Sequence, residues 1–217
     1  MMARVGSHRH EVTILLGALF LAVAARASQG LNPVFSDGAV LQRERPVRIW
    51  GTADKGEAVH VSFGGQTKET VALADGSWTL TLDPMPASKN GRDLVAEFSS
   101  GKVKQTVSDV LVGEVWICSG QSNMDCPIWG ESPRYRDAWG AMAIGSTVKP
   151  FVRLVKTPKA MSAVPLRTVP VVWLRMTPDL MRLHEGGKEL PSAVGYYFAL
   201  ELANALDVPV GIVDASW

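Results

Sequence analysis

The feature that most constrains the fold is an apolar segment that ends in a small polar cluster. Val110 to Cys118 is a nearly continuous apolar run, and Ser119-Gly120-Gln121-Ser122-Asn123 follows it directly. Such a run is typical of a strand that is buried on both faces of a parallel sheet. A Gly-x-Ser sequence at the carboxyl end of this kind of strand presents its serine on a strand-to-helix turn, with the hydroxyl exposed. The pattern therefore predicts Ser122 as a candidate nucleophile.

The first 27 residues have the pattern of a secretory signal peptide. A basic segment contains Arg4 and Arg9, an apolar segment runs from Val12 to Ala25, and Ala25-Arg26-Ala27 has the small-x-small cleavage pattern. About 14 apolar residues are too few to span a bilayer, which needs roughly 20. We expect cleavage after Ala27 and a mature protein that is secreted or periplasmic. A retained membrane anchor is the alternative.

Composition and charge exclude several classes of function. The formal net charge is +1 and the charged residues are interspersed, so neither nucleic acid nor an anionic membrane is expected as a partner. Only Cys118 and Cys126 are present, which excludes a disulfide-framed mini-domain, although a bond between these two remains open. No group of Cys, His and carboxylate residues has metal-ligand spacing, so we expect neither a metal nor another cofactor.

Residues 28–108 have the pattern of an antiparallel β-sandwich. Short alternating segments are separated by turn signals such as Asp75-Gly76 and Asn90-Gly91, and no helical period interrupts them. The predicted strands are 47–51, 58–63, 67–73, 77–82, 94–98 and 102–107. The predicted core aromatic residues are Trp50, Phe63, Trp78 and Phe98. His60 alternates with two valines and is expected to face solvent.

Residues 109–217 have the pattern of a parallel α/β domain. The predicted elements are a strand at 110–118, a strand at 151–155, a helix at 193–206 with Ser192 as its N-cap, and a strand at 209–213. No closing helix follows the last strand, and two or three strands make a poor domain on their own. We therefore expect the N-terminal part of a longer protein, with its α/β domain truncated after Trp217.

The chain resembles the sialate O-acetylesterases, a family of the SGNH/GDSL hydrolase superfamily. The similarity rests on five segments in the expected order: Leu31-Asn-Pro-Val-Phe-Ser-Asp-Gly-Ala-Val-Leu-Gln42, Ala74-Asp-Gly-Ser-Trp78, Val112-Gly-Glu-Val-Trp-Ile-Cys-Ser-Gly-Gln-Ser-Asn-Met124, Ser192-Ala-Val-Gly-Tyr-Tyr-Phe198 and Val208-Pro-Val-Gly-Ile-Val213. The resemblance implies removal of O-acetyl groups from sialic acid or related acetylated glycans, without a metal.

The resemblance also implies roles for individual residues. Ser122 matches the nucleophile, and its backbone N–H would donate to the oxyanion, while Gln121 and Asn123 would shape the turn. The family usually has Glu and an aromatic residue after the methionine, where this chain has Asp125 and Cys126. Its Gly and Gln oxyanion donors and its Asp-x-x-His pair would follow Trp217.

The remaining histidines do not supply an obvious base. His184 is the one histidine outside the signal and the sandwich, and it lies in a polar, glycine-containing segment. A base must reach the proton that it abstracts, and nothing in the sequence places His184 near Ser122. The chain alone is therefore expected to be inactive.

Two other functions fit the same residues. In a secreted glycan-binding protein, Trp129, Tyr135 and Trp139 would stack on sugar rings and Ser122 would be vestigial. In an acetylxylan esterase of the same superfamily, Ser122 would act on a different acetylated polysaccharide. An O-acetylated sugar or glycan is the expected partner in the favoured interpretation, and the sequence does not predict an oligomeric state.

Overall fold

The computed structural model describes residues 29–100, 103–127, 151–176 and 192–217. These residues form eleven strands and one helix. The strands are β1 (Gly30–Leu31), β2 (Val40–Gln42), β3 (Val47–Thr52), β4 (Ala58–Phe63), β5 (Gln66–Val71), β6 (Ser77–Leu82), β7 (Ser88–Phe98), β8 (Lys104–Gly120), β9 (Val152–Lys156), β10 (Leu174–Arg175) and β11 (Val210–Ser216). The helix, α1, is Ala193–Leu206 and lies between β10 and β11 in the chain.

The N-terminal strands form two sheets that share one core. The smaller sheet is antiparallel and has the order β1-β3-β6. In the larger sheet, β4 pairs antiparallel with β5 and β7, and β7 pairs antiparallel with β8. Trp78 of β6 and Phe98 of β7 meet edge to face with ring centroids 6.3 Å apart, which joins the two sheets. The predicted antiparallel strands are therefore present in this region.

The alternation of side chains along β3 corrects one expectation about the core. Phe63, Trp78 and Phe98 are buried as predicted, but Trp50 is 37% exposed. Successive side chains of a strand point to opposite faces, and in β3 the inward positions are held by Val47 and Ile49. Trp50 therefore lies on the outer face of the small sheet, where its indole contacts the ring of Phe35.

β8 is a single strand of 17 residues that takes part in both regions of the protein. Leu94 of β7 lies opposite Val107, whereas Arg92 lies opposite Val110, so β8 holds an extra residue between these pairs. This is a β-bulge, and Asp109 within it has a positive φ of 56°. The division that the sequence suggests between residues 108 and 109 thus coincides with a bulge inside one strand.

One edge of β8 changes its partner at Gly113. β2 pairs parallel with Leu111 to Gly113, and β11 pairs parallel with Glu114 to Gly120. A Cβ atom on Gly113 would lie only 2.0 Å from the carbonyl oxygen of Pro209, so glycine allows this close approach. The same carbonyl accepts the N–H of Glu114 at 2.9 Å, which starts the pairing with β11.

The C-terminal strands form the parallel sheet that the sequence predicts. β11 lies between β8 and β9 and is parallel to both, while β10 pairs antiparallel with β9. The helix α1 has the predicted bounds, and the Ser192 side chain accepts the N–H of Gly195 as its N-cap. Its buried face, with Tyr196 and Ala199, packs on Val210 and Ile212 of β11. The mixed fold, with antiparallel strands first and parallel strands later, confirms the predicted class in its broad form.

An ion pair between a buried arginine and a partly exposed aspartate, which Arg175 also contacts, joins the bulge of β8 to β9. Arg153 is 4% exposed, and its guanidinium lies 2.8 Å from the Asp109 carboxylate. The same guanidinium donates to the carbonyl oxygen of Gly38 at 2.8 Å. Burial lowers the pKa of Arg153, and the nearby Asp109 opposes that effect. The pair therefore anchors β9 to the point where β8 leaves the sandwich.

We predict that Asp109→Asn destabilises the protein by about 3 kcal/mol, because it leaves a buried guanidinium without its carboxylate. Asparagine tolerates the positive φ at this position, so the backbone of the bulge is retained. Urea unfolding at neutral pH measures the effect.

Glu97→Gln is the matched control for Asp109→Asn. It removes a pair of the same 2.8 Å length, between Glu97 and Lys104, whose side chains are both more than half exposed. It should cost much less stability than Asp109→Asn, because exposed ion pairs contribute little. Equal losses in the two variants would contradict a special role for the pair of Asp109 and Arg153.

Candidate active site

Ser122 lies on an exposed turn directly after β8. The turn closes with a hydrogen bond from the N–H of Asp125 to the carbonyl oxygen of Gln121 at 2.9 Å. Gln121, Ser122 and Asn123 are all exposed. Among the described residues, no hydrogen-bond partner is found for the N–H or the hydroxyl of Ser122. The residue predicted as the nucleophile is therefore accessible to solvent.

The end of β11 holds the turn from one side. The Trp217 N–H donates to the carbonyl oxygen of Gly120 at 2.9 Å, and the Ser119 hydroxyl donates to the carbonyl oxygen of Ala215 at 3.3 Å. Gly120 has a φ of 152°, and a Cβ atom there would lie 3.1 Å from the Cβ atom of Met124. Glycine at this position therefore lets β8 bend into the turn without a clash.

The start of α1 holds the turn from the other side. The Ala193 N–H donates to the carbonyl oxygen of Cys126 at 2.9 Å, and Pro127 and Ser192 form an isolated antiparallel bridge. The Ser192 hydroxyl lies 3.3 Å from the sulfur of Met124 while it caps the helix. The ends of β8 and β11 and the first turn of α1 thus meet around Ser122.

A buried carboxylate, Asp214, organises the ends of these elements. It is fully buried and accepts the N–H of Ser192 at 2.9 Å and the N–H of Ser216 at 3.0 Å. The Ser216 hydroxyl donates to it at 2.5 Å. The Lys156 ammonium lies 3.4 Å away. Because a buried carboxylate requires donors, these contacts fix β9, β11 and α1 relative to one another.

A second carboxylate, Asp125, ties the turn of Ser122 to this arrangement. Lys156 lies 2.9 Å from one oxygen of Asp125, and Lys159 contacts the other oxygen. The hydrogen bonds from Lys159 and then Lys156 lower the pKa of Asp125 to about 2. Lys156 therefore bridges the carboxylates of Asp125 and Asp214, below the turn that presents Ser122. We call Asp125, Lys156, Lys159, Asp214 and Ser216 the anchoring cluster.

The two cysteines near the turn are free thiols. Burial, and then the charge of Asp214, raise the pKa of Cys118 above its usual value. A thiol with a raised pKa stays protonated at neutral pH and is a poor nucleophile. Cys118 is therefore a poor candidate for a nucleophile at the end of β8.

His60 is the single histidine among the described residues, and the fold keeps it away from Ser122. It lies in β4 opposite Glu97 of β7, and Glu97 lies opposite Lys104, the first residue of β8. A strand rises about 3.3 Å per residue, so about 50 Å of strand separates that level from Ser122. Its contact is with Glu69 at 3.5 Å, and its side chain is 42% exposed, as expected.

Several sequence predictions fall outside the described residues. They are the secretory signal at 1–27, the aromatic side chains of Trp129, Tyr135 and Trp139, and His184.

Within the described ranges, no group of three or more His, Cys, Asp and Glu side chains is placed to hold a metal ion. The helix α1 is too short to cross a membrane, and no other described segment forms a helix that could.

The anchoring cluster is the part of the site that sequence reasoning did not assemble. The position of Asp214 at the carboxyl end of a strand was a usable signal, because functional loops lie there in parallel sheets. Ser216 shares the face of Asp214 through strand alternation. The lysines gave no signal, since solvent-exposed lysines are common in connecting segments.

Comparison with known proteins gives the site its context. No protein-family model matches this chain. The sialate O-acetylesterase of Mus musculus is 32% identical over 191 residues, a match that covers 82% of this chain and 34% of the mouse protein. The sialate O-acetylesterase of Homo sapiens is 30% identical over 190 residues, and the match covers 82% of this chain and 35% of the human protein.

Most of this chain is similar to sialate O-acetylesterases. That finding confirms the resemblance inferred from the sequence. The chain spans about a third of the length of the curated relatives that it matches. The crystal structure of a carbohydrate acetylesterase from Xanthomonas citri matches this chain with a TM-score of 0.73 and 33% identity. The match covers 87% of this chain and 40% of the Xanthomonas citri chain.

We predict that Asp125→Asn destabilises the protein at neutral pH by about 1.5–2 kcal/mol, the low end of the range for hydrogen bonds to a charged group, because Asp125 is partly exposed. The folded-state pKa of Asp125 is about 2, below the ordinary value. Its contribution is therefore complete above about pH 4 and is lost as the pH falls through about 2. Chemical unfolding at pH 7 and at pH 2 should show a gap between wild type and variant that closes in acid.

Asp83→Asn is the control for the acid dependence. Asp83 also pairs with a lysine, Lys68, at 2.7 Å, but its side chain is 67% exposed. This variant should lose less stability at neutral pH than Asp125→Asn, because exposed pairs contribute little. A gap for Asp125→Asn that stays constant down to pH 2 would contradict the assignment.

Proposed function

We propose that this chain carries the nucleophile of a serine esterase that removes O-acetyl groups from sialic acid or related acetylated glycans. The observation that carries the proposal is the exposed Ser122 on the turn after β8, held between β11 and α1. The similarity to sialate O-acetylesterases and to a carbohydrate acetylesterase supports the choice of substrate class.

The proposed reaction has two stages. The Ser122 hydroxyl attacks the acetyl carbonyl carbon as a base takes its proton, and the carbonyl oxygen becomes an oxyanion near the Ser122 N–H. The C–O bond to the sugar then breaks, the proton passes to the sugar oxygen, and an acetyl group remains on Ser122. Water attacks that ester, and acetate leaves as the serine hydroxyl is restored.

The base in this proposal is a histidine outside the described residues. His60 is excluded by its place in β4, and the anchoring cluster contains only carboxylates, ammonium groups and a hydroxyl. The resemblance implies an Asp-x-x-His element that would follow Trp217. We propose that the 217 residues alone are inactive.

We propose that the protein is exported. The basic segment, the apolar run from Val12 to Ala25 and the cleavage pattern at Ala27 support this location. Acetylated glycans outside the cytoplasm would then be the accessible substrates.

A second substrate class is an acetylated plant-type polysaccharide such as xylan. The similarity to a carbohydrate acetylesterase of Xanthomonas citri favours keeping it as a candidate. The chemistry at Ser122 would be the same, so only the sugar part of the substrate differs between the two proposals.

Fluorophosphonate labelling tests the nucleophile. In the protein expressed with any coding sequence that continues this chain, we expect labelling of the wild type and loss of labelling in Ser122→Ala, because the reagent needs an activated serine. Ser119→Ala is the matched control, since Ser119 is also exposed and lies three residues earlier. Labelling that survives in Ser122→Ala would refute the assignment. The 217-residue chain alone should remain unlabelled.

Acetate release tests the substrate class. The same longer protein should release acetate from O-acetylated sialic acid at least about tenfold faster than from acetylxylan, if contacts to the sugar select between the two substrates. A faster rate on acetylxylan would support the second substrate class instead. No release from either substrate, with intact labelling, would contradict both.

A further inference from the structure

An open pocket of about 570 Å³ lies on the outer side of the sandwich. It is formed where the outer face of β3 and β6 meets β5 and the segment around Arg167. Its volume is in the range of small-molecule binding sites, roughly 300–1,000 Å³. None of its lining residues belongs to the turn of Ser122 or to the anchoring cluster.

Trp50 provides a flat apolar surface in this pocket. It is 37% exposed, and its indole meets the ring of Phe35 edge to face with centroids 4.6 Å apart. Phe35 is buried, so this contact fixes the position of the indole without covering it completely. A large, oriented and half-exposed aromatic side chain is costly to leave in water and suits a ligand with an apolar face.

In the part of the chain that the structure describes, one cation of the pocket has no ion-pair partner. Of its three charged lining residues, Arg167 and Asp75 form an ion pair of 2.9 Å, and Asp75 also accepts from the N–H and the hydroxyl of Ser77. Arg48 has no ion-pair partner among the described residues. It lies two residues before Trp50 on the same face of β3. The pocket therefore carries a net positive charge beside its aromatic surface.

Hydroxyl groups complete the polar part of the pocket. Thr70 of β5 and Thr79 of β6 line it, and Thr79 lies directly opposite Trp50 in the sheet. The segment that closes one side is fixed by a hydrogen bond from the Asn32 side chain to the carbonyl oxygen of Arg167, at 3.0 Å. An aromatic face, a guanidinium that no described carboxylate pairs with, and hydroxyl groups are the groups that recognise an acidic sugar.

We propose that this pocket binds a sugar that carries a carboxylate. The C–H face of the pyranose ring lies on Trp50, and the carboxylate accepts hydrogen bonds from Arg48, whose planar guanidinium matches two carboxylate oxygens. The choice of sialic acid as the sugar rests on the proposed function. The site itself does not depend on Ser122, and it would hold the acidic glycan while another part of it is deacetylated.

Ligand-observed NMR with N-acetylneuraminic acid, which has no O-acetyl group to lose, tests the pocket on the full chain. We expect saturable binding that Trp50→Ala weakens at least about tenfold, because the sugar loses its apolar contact surface. Arg48→Gln should weaken it about tenfold through loss of a charged hydrogen bond. Binding should also weaken with added salt, since the attraction is between exposed charges.

Matched controls separate this pocket from other sites. Arg45→Gln removes an exposed arginine three residues from Arg48 that does not line the pocket, and it should leave binding unchanged. Ser122→Ala should also leave binding unchanged. Trp50→Leu, together with thermal unfolding of each variant, shows whether a loss of binding reflects a loss of folding.

Three results would overturn the proposal. They are no binding of N-acetylneuraminic acid at millimolar concentration, binding that folded Trp50 variants retain, and equal affinity for neutral methyl galactoside. Failure of Ser122 labelling with intact binding would refute the proposed esterase and leave the pocket standing. Intact labelling of Ser122 with no binding of N-acetylneuraminic acid would refute the pocket and leave the proposed nucleophile standing.

Discussion

The continuity of β8 is the constraint on which the described structure depends. The strand begins beside β7 in the sandwich and ends beside β11 at the turn of Ser122. Side chains alternate between the two faces of a strand, and the extra residue in the bulge at Asp109 shifts this alternation by one. The bulge therefore sets the face on which each later residue of β8 lies. Gly113 then admits the backbone of Pro209, and the parallel sheet starts there. The position of Ser122 is therefore determined from within the sandwich as well as from the α/β region.

The turn of Ser122 is held by charge and hydrogen bonds more than by apolar packing. Its residues are exposed, and the nearby apolar cluster lies under α1. Asp214, near the end of β11, accepts a hydrogen bond from the N-cap residue of α1, and Lys156 contacts the carboxylates of both Asp214 and Asp125. An arrangement of this kind keeps a turn in one geometry while its residues stay exposed to solvent.

Local signals in the sequence predicted much of this fold. The bounds of α1 followed from Ser192 as N-cap and from an apolar face at helical spacing, and alternation located β3, β4 and β6. Trp50 was misplaced because its aromatic character was given more weight than the parity of β3, which puts Val47 and Ile49 inside. Ser108 and Asp109 suggested a break, since a bulge and a strand end have similar polar residues. The anchoring cluster joins residues between 31 and 91 positions apart, and such pairings require the three-dimensional fold.

The charge balance of the anchoring cluster bears on which substrates can approach Ser122. The carboxyl groups of Asp125 and Asp214 are matched by the ammonium groups of Lys156 and Lys159, and Lys159 is the most exposed of the four. Two uncompensated acids below the turn would repel any sugar that carries a carboxylate. With the lysines in place, such a sugar meets a neutral surface with a cation at its edge. The charges of the anchoring cluster therefore do not repel the acidic glycans that are proposed as substrates.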